Sequence, residues 1–114
     1  MTVKVSLDIN ASPAVTVDPQ KTHVNNGNAT VVWVPAADQQ AFTFVGVTIS
    51  PAGHFDAPVI SPPGDPVQMS VTEQPPYVPD TDFSYQITVN LDGTDYQSAS
   101  LTISKPGDPV IHNN

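Results

Sequence analysis

Apolar and polar residues alternate with a period of two along most of this 114-residue chain. Successive side chains of a β-strand point to opposite faces of a sheet, so this period indicates strands that bury one face. The clearest case runs from Phe83 to Leu91, and the Asp92-Gly93 that follows is typical of a two-residue hairpin turn. The 13 prolines argue against long helices. The chain is therefore expected to be all-β.

The alternation predicts about seven strands. Outside the hairpin they are expected at residues 2–9, 15–17, 29–34, 41–50 and 67–73. The return strand of the hairpin is expected to turn Ala99, Leu101 and Ile103 inward. Gly46 stands where the apolar phase changes, which predicts a β-bulge. The set as a whole is typical of an antiparallel immunoglobulin-like β-sandwich.

The sandwich is expected to occupy residues 1–107, with residues 108–114 as a tail packed on the same domain. Residues 51–66 contain five prolines and are predicted to form a long irregular loop. Residues 74–82 form a second proline-rich connection. Tyr85 follows this connection closely, and its placement resembles the tyrosine corner of immunoglobulin-like domains.

Charge and composition exclude several classes of function. The net charge is −8 and the chain has no arginine, so it would repel nucleic acids and anionic membrane surfaces. There is no cysteine, and His23, His54 and His112 lie too far apart in sequence to form a ligand motif. The sequence therefore predicts no metal site, no cofactor, no nucleic acid and no membrane partner. A cytoplasmic location is the default expectation.

The dipeptide Asp-Pro occurs at residues 18–19, 65–66 and 108–109. Aspartate followed by proline commonly starts turns, which explains the first two occurrences. Asp108-Pro109 differs because it stands near the C-terminus, beyond the final predicted strand. An aspartyl carboxyl can attack its own backbone carbonyl through a five-membered ring, with the proline nitrogen as leaving group. A fold that raised the pKa of Asp108 would keep the required proton near neutral pH.

These features resemble the DP-EP family of small bacterial proteins. The diagnostic residues are Gly107-Asp108-Pro109-Val110-Ile111, in a short acidic β-sandwich. The resemblance implies aspartic-peptidase-like self-cleavage, with Asp108 as the reactive carboxyl, Pro109 as the leaving group and the chain's own tail as the substrate. It also implies capture of the freed aspartyl group by a lysine. Asn90 stands where that lysine would be expected, and no lysine occurs between Lys21 and Lys105.

A second interpretation is a non-catalytic interaction module. β-Sandwiches often bind partners through loops at one end. The candidate surfaces here are the loop 51–66, which carries His54 and Phe55, and the segment 73–82, which carries Tyr77. The sequence leaves both interpretations open.

Overall fold

The computed structural model describes residues 1–27, 29–36, 42–61, 68–98 and 109–114, with Ser61 described by its backbone alone. Within these ranges the chain forms ten strands and no helix, which confirms the all-β prediction. The strands are β1 (Thr2–Leu7), β2 (Val15–Asp18), β3 (Lys21–Val24), β4 (Thr30–Pro35), β5 (Thr43–Ser50), β6 (Val59–Ser61), β7 (Gln68–Thr72), β8 (Thr81–Leu91), β9 (Thr94–Gln97) and β10 (Val110–Asn113).

The strands lie in two sheets. The order is β2-β1-β4-β7-β6 in the first sheet and β3-β10-β8-β5 in the second, where β9 also pairs with β8. Most neighbours are antiparallel, but β1 runs parallel to β4 and β10 runs parallel to β3. The prediction of a wholly antiparallel sandwich is therefore wrong. A period of two identifies a strand but does not fix the direction of its neighbour.

Inward side chains of both sheets form one hydrophobic core, as in a β-sandwich. Trp33 of β4 and Tyr85 of β8 are fully buried, with ring centres 5.3 Å apart. The other buried members of the core are Val3, Val5, Val15, Val24, Val31, Phe42, Phe44, Met69, Val71, Phe83, Ile87, Val89 and Ile111. Removal of this apolar surface from water is the main force that holds the sheets together.

Two local predictions are confirmed. Asp92 and Gly93 have φ angles of 52° and 84°, the left-handed values that a primed hairpin turn requires. The pairing of β5 with β8 shifts its register between Phe44 and Gly46, so the bulge lies where the apolar phase changes. Beyond the bulge, Val47 and Ile49 pack against the core.

Three strands and one strand end differ from expectation. β3 and β10 were not predicted, and β6 lies inside the segment 51–66 that was expected to be irregular. The first strand ends at Leu7, and Ile9 is 54% exposed instead of continuing it. β3, β6 and β10 have three or four residues each, which is too few for a two-residue alternation to be told apart from a turn. The inward positions expected at residues 99–103 lie outside the described residues.

β9 and β10 lie one after the other along the same edge of β8. The Ser98 N–H donates to the Ile87 carbonyl, and the Tyr85 N–H donates to the Pro109 carbonyl. Ser98 and Pro109 are eleven positions apart in the sequence, but their partners Ile87 and Tyr85 are only two positions apart on β8. The Ser98 hydroxyl closes β9 by accepting a hydrogen bond from the Ile87 N–H at 2.9 Å.

Candidate functional site

The C-terminal strand β10 is the centre of the candidate site because it begins next to Asp108-Pro109. Pro109 is buried, and its carbonyl accepts the Tyr85 N–H at 3.2 Å. On the other side, the Val110 N–H donates to the Gln20 carbonyl at 2.9 Å. Proline lacks an N–H, and the first position of a strand is one of the few places in a sheet that accept it. Pro109 lies directly before β10, and the peptide group between Pro109 and Val110 is held between β8 and the residue that precedes β3.

The inward face of β10 completes the core. Ile111 has no exposed surface and lies opposite Phe83 of β8 and Thr22 of β3. Asn113 is also fully buried, and its side-chain amide donates to the Asn26 side chain at 2.8 Å and to the Val78 carbonyl at 2.7 Å. Both apolar burial and hydrogen bonds thus hold the strand in place.

The outward face carries a polar cluster of Lys21, His23, Asp82 and His112. The His112 Nδ1 lies 2.5 Å from an Asp82 carboxylate oxygen, and the Lys21 ammonium lies 3.7 Å from the same oxygen. The rings of His23 and His112, which pair in register on parallel strands, have centres 5.2 Å apart. Three strands meet in this cluster, because β10 runs between β3 and β8.

The polar cluster alters the acidity of Asp82. The hydrogen bond from His112 lowers the pKa of this carboxyl below its ordinary value of 3.8, Lys21 lowers it further, and partial burial opposes both. Since the folded state favours the ionised form, Asp82 stabilises the fold above its ordinary pKa. That contribution is lost as the pH falls through the lowered value.

We expect Asp82→Asn to destabilise the protein at neutral pH and to make its stability less sensitive to acid. The difference in unfolding free energy between wild type and variant should shrink as the pH falls from about 5 to about 2. Urea unfolding at a series of pH values measures this. Asp80→Asn is the control, because its left-handed φ of 53° suits asparagine equally well. A constant difference across this pH range would contradict the assignment.

The structure describes only one of the two predicted site residues. Pro109 is fixed as described above, whereas Asp108 lies outside the described residues. The register places Tyr85 on β8 and Gln20 before β3 beside Pro109, and neither is a carboxylic acid. Asp82 lies opposite His112, three residues along β10, or roughly 10 Å away at the usual strand rise. Among these neighbours, no second carboxyl is placed to assist at the bond.

Lys21 lies beside the C-terminal strand. It pairs with Val110, the residue after Pro109. The sequence did not indicate this contact because β3 could not be recognised from the short polar sequence KTHV. Asn90 lies at the far end of β8, where its side chain bonds Asp95 and the Gly93 N–H. Its amide therefore has a structural role at the hairpin turn.

The two surfaces of the alternative interpretation are neighbours in the structure, because Phe55 of the loop 51–66 forms a β-bridge with Glu73 of the segment 73–82. A cavity of about 250 Å³ opens between β5 and the start of the loop 51–66. Its apolar lining includes Val47, Ile49, Pro51, Phe55 and Val71. In the segment 73–82, Tyr77 is 38% exposed but Glu73 is buried, so the Glu73 carboxylate is not part of an exposed surface. The His54 Nδ1 donates to the Pro76 carbonyl at 2.9 Å, so this histidine also connects the loop 51–66 to the segment 73–82.

The Tyr85 hydroxyl forms no tyrosine-corner bond with any described residue. Its hydroxyl and the Trp33 indole N–H are both buried, and neither has a hydrogen-bond partner in the described part of the chain. Burial raises the pKa of Tyr85 well above its ordinary value of 10, although the neighbouring Trp33 offsets part of this rise. Tyr85 therefore acts as a core residue with an unsatisfied polar group.

Within the described ranges, no three His, Asp or Glu side chains come together in a group that could hold a metal ion. The same ranges contain no helix long and apolar enough to cross a membrane. No protein-family model matches the chain, and comparison with curated proteins gives no match either.

Proposed function

We propose that this protein cuts its own chain once, at the Asp108-Pro109 bond. The observation that carries the proposal is the position of Pro109, a buried proline directly before an inner strand, whose peptide group with Val110 is hydrogen-bonded on both sides. Of the other two Asp-Pro pairs, the structure describes Asp18-Pro19, where Pro19 is exposed. The resemblance to self-cleaving proteins rests on the same residues.

The reaction needs only the chain and water. The Asp108 carboxyl attacks its own backbone carbonyl, the bond to the Pro109 nitrogen breaks, and the carboxyl proton passes to that nitrogen. A cyclic anhydride remains at residue 108 and a secondary amine at residue 109. One water molecule then opens the anhydride to two carboxyl groups. A protonated Asp108 is required, so a raised pKa at this residue would allow the reaction near neutrality.

Cleavage would leave the sandwich assembled. β10 is hydrogen-bonded to β3 and β8 and buries Ile111 and Asn113, so the peptide 109–114 would remain in its slot without a covalent link. The product therefore separates only when the protein unfolds.

The test is the mass of the purified full-length protein after incubation at neutral and mildly acidic pH. Under denaturing conditions we expect two fragments whose masses sum to that of the intact chain plus one water, while the native mass shows them still associated. Asp108→Ala should abolish cleavage. Asp65→Ala should not, and it is a matched control because residues 64–67 repeat the string GDPV of residues 107–110.

The three Asp-Pro bonds also separate assisted cleavage from ordinary acid hydrolysis. Acid hydrolysis would cut the bonds at Asp18, Asp65 and Asp108 at comparable rates. An intact mass after prolonged incubation, or equal cutting at all three bonds, would overturn the proposal.

A second candidate function is recognition of an apolar group by the cavity between β5 and the loop 51–66. At about 250 Å³ the cavity is small for a ligand site, since such sites usually measure ~300–1,000 Å³. It is suited to one apolar side chain of a partner peptide. Binding of short apolar peptides, followed by amide chemical shifts, should be lost in Thr48→Arg at the cavity lining and kept in Thr88→Arg. Equal effects of the two variants would exclude the cavity.

We also assign the sandwich to the immunoglobulin-like architectures. The support is its topology: β4, β7 and β6 lie in one sheet, and β5, β8, β9 and β10 lie in the other. The chain passes repeatedly between the two sheets, as in Greek-key sandwiches.

A further inference from the structure

Two histidines that are 89 positions apart in sequence are neighbours on the outward face of the second sheet. His23 of β3 and His112 of β10 pair in register, and their ring centres lie 5.2 Å apart. His23 is exposed, and 21% of the His112 side-chain surface is exposed. Both rings therefore remain accessible from solvent.

This spacing matches that of two imidazoles bound to one metal ion. A ligating imidazole nitrogen lies about 2 Å from Zn²⁺, and the ring centre lies roughly 1 Å beyond the nitrogen. Two rings at a tetrahedral angle around the ion would have their centres about 5 Å apart. Face-to-face stacking of the two rings would prevent them from binding one ion together. The ring planes are inclined at 63°, so the rings are not stacked in this way.

Asp82 supplies the support that ligating histidines usually have. The His112 Nδ1 lies 2.5 Å from the Asp82 carboxylate, so Nδ1–H is donated to it and Nε2 is the nitrogen left to bind a metal ion. Hydrogen bonding to a carboxylate fixes the tautomer and makes the imidazole a stronger ligand. This contact points to a ligand independently of the distance between the rings.

We propose that His23 and His112 form a binding site for a borderline divalent metal ion such as Zn²⁺, with Asp82 orienting His112. Two imidazoles favour zinc, nickel and copper over magnesium or calcium, which prefer oxygen ligands. Water would complete the coordination, since no third protein ligand joins the pair among the described residues. The ammonium of Lys21, 3.7 Å from Asp82, shares that carboxylate and limits the affinity.

Such an ion would join β10 to β3 through side chains, in addition to the backbone pairing. The site does not depend on the proposed self-cleavage, because both histidines stay in the assembled protein whether or not residue 108 is cut. Loss of zinc binding and loss of cleavage are therefore separate results.

The test is zinc titration of the full-length protein by calorimetry, with histidine ring signals followed by NMR. Zn²⁺ should shift the rings of His23 and His112 but not that of His54, and millimolar Zn²⁺ should raise the Tm while Mg²⁺ should not. Asp82→Asn should weaken binding by about 10–100-fold. His23→Gln should abolish it, and His54→Gln is the matched control because His54 bonds the Pro76 carbonyl elsewhere on the molecule.

His23 is exposed on β3, which is an edge strand of the second sheet. The variant His23→Gln is therefore expected to fold and to give a clear result. Full zinc affinity in His23→Gln would overturn the proposal. The absence of both binding heat and ring shifts in the wild-type protein at millimolar Zn²⁺ would overturn it as well.

Discussion

Ile111→Ala is expected to lower the free energy of unfolding by about 2–5 kcal/mol, the usual cost of truncating a fully buried isoleucine. Ile111 has no exposed surface, and its strand lies between β3 and β8. The smaller side chain leaves a cavity in the core and weakens an apolar anchor that β10 places among the core residues. Because small domains are stable by roughly 5–15 kcal/mol, this is a large fraction of the total.

Chemical denaturation of the full-length protein measures this loss. Ile9→Ala removes the same atoms from a residue that is 54% exposed, so it is the matched control and should change stability by no more than about 0.5 kcal/mol. Similar losses in the two variants would show that β10 is not part of the folded core. In the cleaved protein, Ile111→Ala should also speed release of the peptide 109–114.

Trp33→Ala is expected to cost about 3–5 kcal/mol and to lower the Tm by on the order of 10–20 °C. Trp33 is the only tryptophan, is fully buried on β4, and contacts the Tyr85 ring of the opposite sheet at 5.3 Å between ring centres. Its removal takes away the largest side chain between the two sheets. Thermal unfolding followed by circular dichroism measures the change.

Tyr85→Phe keeps the ring that packs against Trp33 and removes only the buried hydroxyl. The Tyr85 hydroxyl is buried without a hydrogen-bond partner among the described residues, so its removal should leave stability unchanged or raise it. A loss above about 1 kcal/mol would reveal that the hydroxyl has a partner in the folded protein.

The sequence was sufficient for the parts of the fold that depend on neighbouring residues. The hairpin follows from the long alternation of β8 and from Asp92-Gly93, whose backbone requirement is local. The bulge follows from Gly46 at a change of phase. In each case the physical cause lies within a few positions of chain.

Strands β3 and β10 depend on distant residues. Each has four residues, of which three are polar in β3 and two in β10. β10 becomes a strand because β3 and β8 offer backbone groups on its two sides, and β3 becomes one because β10 does. The same pairing brings His23, His112, Asp82 and Lys21 together, so the polar cluster could not be predicted either. The apolar pair Val110-Ile111 after Pro109 was a signal, but it was too short to separate a strand from a tail.

The immediate surroundings of the proposed cleavage bond were predictable only in part. The Asp-Pro chemistry can be recognised in the dipeptide itself, whereas the burial of Pro109 depends on Tyr85 and Gln20. Neither neighbour carries a motif that would have indicated the contact.

The parallel pairing of β10 with β3 has a consequence for the kinetics of folding. It joins Val110 to Lys21, 89 positions away, so its formation closes a very large loop. Loop closure costs entropy before any contact compensates it, and such distant pairings slow folding. The local β8–β9 hairpin is expected to form before the transition state and β10 to dock after it. Substitutions in β10 should then accelerate unfolding while leaving the refolding rate almost unchanged.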